Sequence, residues 1–315
     1  MLAALRTAIG VGLLVYLGTL GAINWSALLG LAEAWPLSLT VLALLVMTVV
    51  LTSWRLCVLL KPHGLHLSLA SSLRLTLIGA FFNACLPGIT GGDIVRVYYA
   101  TVGNRSGFTE IATVMLLDRA VGAFALALWP LLAAPLFPRL LESVGILLVL
   151  LWAAAAVVAA MLAGVLFCFA RQERNSRPMS RAFPRLRLVA HAERVFKTVG
   201  AYRRNVGILL AAVGISLLVQ TITVGVMLLL VQATSPTGVS GPMVILIPLG
   251  FMANALPVTP GGLGVGEAAF IKLFQLAGLT GGAEALLGWR VLTTFVDLLG
   301  LVFYLQGGKP SVDRG

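Results

Sequence analysis

Apolar residues in this chain come in long unbroken runs, and the runs recur from one end to the other. They lack the strict alternation of a half-buried strand. Their length suits helices that cross a bilayer, which take about 20 apolar residues. Full spans are predicted at 5–23, 37–60, 109–133, 143–170, 206–232 and 284–306. Two further apolar regions, 67–102 and 242–278, read differently. Each divides into an apolar helix, a break rich in Pro and Gly, and a second helix. The breaks are NACLPGITGGDIVR, from Asn83 to Arg96, and NALPVTPGGLGVGE, from Asn254 to Glu267. Both contain Leu-Pro-x-x-x-Gly-Gly, at Leu86-Pro87…Gly91-Gly92 and Leu256-Pro257…Gly261-Gly262. Irregular backbone at membrane depth is tolerated only where protein or a cavity surrounds it. The predicted fold is an all-α polytopic membrane protein, with about six full spans and two re-entrant, Pro/Gly-broken helical hairpins.

Composition agrees. Hydrophobic residues make up 59% and charged residues 10% of the 315 positions, and mean hydropathy is +1.02. No stretch is left for a separate soluble domain, so residues 1–315 read as one transmembrane domain. The formal charge of +11 does not imply nucleic acid, because ten of the 22 Lys and Arg residues fall between Arg171 and Arg204. A basic cluster of this kind marks a cytoplasmic loop. Within it, Leu186, Val189, Phe196 and Val199 fall near one helical face. The linker 171–205 is therefore either a helix resting on anionic lipid or a purely topogenic loop. Cys57, Cys85 and Cys168 form no metal motif or disulfide framework, and His63, His66 and His191 are too scattered to bind a metal. No cofactor is expected. The N-terminal run after Arg6 reads as a first membrane helix rather than a cleaved signal.

Charge counting gives a topology. With Arg6 cytoplasmic, Lys61, Arg105, the ten-cation linker, Lys309 and Arg314 all become cytoplasmic if each broken region makes zero or two net crossings. The second half of 67–102 is short, which favours a re-entrant hairpin. Span, hairpin, span then occurs twice, over about 37–133 and 206–306, with the hairpins entering from opposite faces. Such an inverted repeat is common among transporters, whose sites form near the midplane from broken helices. Both chain termini are expected in the cytoplasm.

The breaks carry the candidate chemistry. Pro87 and Pro257 cannot continue a helical hydrogen-bond ladder. Helices starting at Gly91-Gly92 or Gly261-Gly262 present unpaired N–H groups that suit a phosphate. Tight helix packing through small residues is the alternative. Asp93 and Arg96 share a helix face at i, i+3. Glu267 follows the second break, with Lys272 beyond it. Arg74, Asp118, Arg119, Arg290 and Asp297 also lie inside apolar segments. Ionisable groups at that depth are candidates for function, or else they pair to fix packing. Arg suits phosphate through its fork of donors. Glu267 is expected to meet a cationic head group, relay a proton or neutralise Arg96.

The stretches FFNACLPGITGGDIVRVYY (Phe81–Tyr99), LLDRAVG (Leu116–Gly122) and NALPVTPGGLGVGEAAF (Asn254–Phe270) resemble the transmembrane domain of lysylphosphatidylglycerol synthases. That flippase-like family also occurs as stand-alone membrane proteins. The resemblance covers nearly the whole chain. It matches Asn83, Pro87, Gly91, Gly92, Asp93, Arg96, Arg119, Asn254, Pro257, Pro260, Gly261, Gly262, Gly264 and Glu267 to the family's motif positions. It implies substrate binding at those residues other than Pro260 and Gly264, with a membrane phospholipid or polyprenol-linked lipid as substrate. Full synthases carry a soluble catalytic domain after the membrane part. None follows here, so aminoacyl transfer is not expected. The expected function is movement of an anionic phospholipid or polyprenol-linked lipid between leaflets of a bacterial inner membrane, with the two helix tips forming a phosphate cavity. The alternative is an integral-membrane enzyme, or an accessory subunit beside a lipid-modifying synthase or glycosyltransferase.

Overall fold

The computed structural model describes residues 33–85, 91–101, 108–173, 196–235, 238–256, 258–306 and 312–314. The described chain is helical throughout, apart from turns and one small ribbon. Helix α1 (Trp35–Leu60) opens with a proline in its first turn, where the missing N–H has no ladder to break. It closes through a 3₁₀ turn, Lys61–His63, with Gly64 in the left-handed region. A broken pair follows, α2 (Leu69–Cys85) and α3 (Gly91–Thr101), and then the long α4 (Phe108–Ala133). Helices α5 (Pro138–Ser143) and α6 (Gly145–Glu173) lead to the linker. Beyond it come α7 (Val206–Thr234), a second broken pair, α8 (Met243–Asn254) and α9 (Val265–Leu276), and the final α10 (Gly282–Leu305).

Five segments are long and apolar enough to cross a membrane: Trp35–His63, Phe108–Leu136, Gly145–Arg171, Phe196–Thr234 and Gly282–Leu305. They coincide with five predicted spans. The predicted first span, 5–23, lies outside the described residues, as does most of the basic linker. The four helices of the broken pairs have 17, 11, 12 and 12 residues, each below the crossing length of about 20. Large apolar side chains on α6, including Trp152, Leu166 and Phe167, stay uncovered by protein and suit a lipid-facing helix.

Three contacts fix where the broken segments begin and end. His63 Nδ1, just after α1, lies 3.4 Å from Glu110 Oε1, at the start of α4. Ser235 Oγ, just after α7, donates to the Thr280 carbonyl before α10 at 3.2 Å. Each broken segment thus returns to the end of the molecule at which it starts. The Tyr202 hydroxyl, before α7, donates to the Leu59 carbonyl at the close of α1. Helix α7 runs away from that end, so the two broken segments open from opposite ends.

Helix α1 packs along α7. Helix α2 lies against α10, while α8 lies against α4. The larger core joins Met227 and Leu230 of α7, Ile245 and Leu246 of α8, Phe270 and Phe274 of α9, and Leu286 of α10. A second core joins Leu56 and Leu59 of α1, Leu75 of α2, Val97 of α3 and Val114 of α4. At Gly300, α10 touches the backbone of α2 directly, and a Cβ there would collide with the Leu77 carbonyl oxygen.

One element departs from the sequence reading. The polar tail forms a strand, β2 (Val312–Arg314), antiparallel to β1 (Leu65–Leu67), with Leu65 opposite Arg314. Three residues are too few to show a period. The pairing brings the tail to the same end of the molecule as the Lys61 turn.

Candidate functional site

The first break is closed by a side chain. Asn83 Oδ1, near the end of α2, accepts the Gly92 N–H at 2.9 Å. Gly92 has to be glycine, because a Cβ there would strike the Gly79 carbonyl oxygen and the Asn83 amide. Gly91 opens α3, and Asp93 sits in its first turn, where the helix dipole favours negative charge. Asp93 Oδ1 accepts two bonds from Arg119 of α4, from Nη2 at 2.7 Å and Nε at 3.2 Å.

Arg96 is one turn further along α3. It is 4% exposed, and its stem lies over Gly79, where a Cβ would collide with its Cγ and Cδ. Its Nη1 is 3.7 Å from Asp93 Oδ1. Among the described residues its Nε and Nη2 are buried with no hydrogen-bond partner. The charges acting on it are Asp118, Arg119, Asp93 and Arg55. Asp118 accepts from Arg55 Nε at 2.7 Å, and Arg55 Nη1 donates to Ser216 Oγ of α7 at 2.7 Å. Gly122 leaves room beside that guanidinium.

The second break is built differently. Gly261, Gly262 and Gly264 have φ of 62°, 70° and 77°, which glycine adopts without strain. Glu267 is fully buried. Its Oε2 accepts the Gly264 N–H at 2.7 Å, and its Oε1 accepts from Arg290 Nε of α10 at 2.8 Å. Arg290 Nη1 donates to the Gly261 carbonyl at 2.6 Å, and Nη2 donates to Asn254 Oδ1 at 2.7 Å. One guanidinium thus ties together both sides of the break.

The structure brings Asn83, Gly92, Asp93, Arg96 and Arg119 together at the first break, and Asn254, Gly261, Gly262 and Glu267 at the second. Pro87 and Pro257 lie outside the described residues. Two expectations change. The Gly92 amide donates to Asn83 Oδ1 and the Gly262 amide to the Thr259 carbonyl, so those donors are not free for an anion. Glu267 answers Arg290, not Arg96. The sequence reading also passed over Arg55 and Ser216. The rule that flags Asp118 applies equally to a lone Arg within 37–60. Arg74, flagged at the same stage, donates from Nη2 to the Phe303 carbonyl at 3.0 Å. A cavity of about 690 Å³ lies away from both breaks, between Pro62 and the 200–205 turn, and Arg203 and Arg204 line it.

The fold and these charged breaks define a multi-pass helical membrane protein with polar sites built at two interrupted helices. More particularly, the chain belongs to the lysylphosphatidylglycerol synthase transmembrane-region family, whose model matches residues 3–300. No curated protein and no solved structure matches the chain.

Proposed function

We propose that this protein carries an anionic phospholipid or polyprenol-linked lipid between the leaflets of a bacterial inner membrane, with both termini in the cytoplasm. One observation carries the reading. Five charged side chains, Arg55, Asp93, Arg96, Asp118 and Arg119, gather between the first broken pair and the neighbouring long helices. Charge at that depth is expensive, and functional sites are where it persists. Membership in a lipid-handling family supports the same conclusion. Guanidinium groups take the role that free helix-terminal amides would otherwise have had. The phosphate rests on Arg96 and Arg119 while the tails remain in lipid. The two halves, about 37–133 and 206–306, act as an inverted repeat, and one rocks against the other to expose the site to each face in turn. The basic linker rests on anionic lipid of the cytoplasmic leaflet.

The test is leaflet exchange in proteoliposomes. Fluorescent phosphatidylglycerol is quenched from outside by an impermeant reductant, and the wild-type protein should accelerate loss of the protected fraction. Arg96→Ala and Arg119→Ala should each slow it by about tenfold, the loss of one charge-assisted hydrogen bond. Wild-type rates in both variants would refute the reading.

A further inference from the structure

The two breaks look alike in sequence, but their polar groups are not used alike. At the second break every nitrogen of Arg290 is engaged, and so are both oxygens of Glu267 and Oδ1 of Asn254. That motif closes on itself. At the first break, Arg96 keeps Nε and Nη2 without a partner among the described residues, although the side chain is almost wholly buried. Those two nitrogens form one edge of the guanidinium, with parallel donors spaced for two oxygens of a single phosphate. Buried donors left unpaired are costly, and more so when they belong to a charged group.

The surrounding charge narrows the ligand. Arg55, Arg96 and Arg119 face Asp93 and Asp118, which leaves one uncompensated positive charge among these residues. A monoanion completes the cluster. A pyrophosphate brings at least one more negative charge than the cluster can answer, and an unanswered charge away from water is strongly disfavoured. Resting on the lipid-translocation reading above, we infer that the chain has one anion seat, the Nε/Nη2 edge of Arg96, and that it takes a monoanionic phosphodiester head group. The second break is a structural clasp. The Arg119 side chain is 52% exposed and is held to Asp93 at its 26% exposed carboxylate. Parting of that pair opens the way to Arg96, and Arg119 then turns to the incoming phosphate.

The experiment is isothermal titration of the full-length protein in detergent. The probes are dihexanoyl phosphatidylglycerol, farnesyl pyrophosphate and deacylated glycerophosphoglycerol. The expected result is one phosphatidylglycerol per chain, bound about tenfold more tightly than either other probe, and weakened about tenfold in Arg96→Lys, which keeps the charge but loses the fork. Stoichiometry and probe preference need no variant, so they decide the matter even where Arg96→Lys does not fold. Two lipids per chain, a pyrophosphate bound as well as the phosphodiester, or no binding of any probe would overturn the inference. Equal binding of glycerophosphoglycerol would make the ligand a soluble phosphodiester and overturn the lipid assignment. Wild-type leaflet exchange alongside any of those results would leave the translocation reading standing. Binding as expected without exchange would remove that reading and leave the seat.

Discussion

Gly262 and Gly164 show how position governs one residue type. Gly262 has φ of 70°, and a Cβ there would strike the Asn254 carbonyl and Oδ1. Gly164 lies in α6, and a Cβ there would meet nothing within 4 Å. Gly262→Ala should cost about 2–3 kcal/mol, since the left-handed backbone and the collision act together. Gly164→Ala should gain about 0.5–1 kcal/mol by restricting the unfolded chain in a helix interior. Thermal unfolding midpoints in one detergent would compare them, and equal shifts would contradict the geometry. Candidate residues were legible at this scale because charge is rare in apolar helices. Their partners were not. Glu267 and Arg290 lie 23 positions apart on separate helices, and no spacing rule joins them. Asp93 and Arg119 are 26 apart for the same reason.

Among elements, the long helices were the most legible, because a run near crossing length admits few other structures. The broken pairs were legible through their Pro and Gly residues. The ribbon between Leu65–Leu67 and Val312–Arg314 was not, because its strands meet only once the whole chain is folded. The return of each broken pair has a direct check. Single cysteines at Ser68 and Thr101 bracket the first pair, and single cysteines at Ser240 and Thr280 bracket the second. In a background without Cys57, Cys85 and Cys168, the members of each bracket should react with an impermeant thiol reagent from the same side. The two brackets should react from opposite sides. A bracket split between sides would contradict the fold.

For the whole molecule, the exchange of partners matters most. The first broken pair leans on the last long helix, while the second leans on α4. Each half buries its own broken pair only in part and relies on the other half for the rest. Fragments 1–185 and 186–315 should therefore co-purify when expressed together, and each alone should be degraded. A stable, monodisperse half would show that the cross-packing is dispensable. Lipid supplies little hydrophobic drive between helices, so close backbone approach has to provide the attraction.

The contact between Gly300 and the Leu77 carbonyl then has a mechanical meaning. Under the proposed rocking motion it would be a bearing, backbone against backbone beside the Phe81 side chain, on which one half rolls while their separation stays fixed. Sliding across it would push neighbouring side chains into backbone. A methyl group placed at Gly300 would act as a wedge, holding the halves at whichever angle they had when they folded.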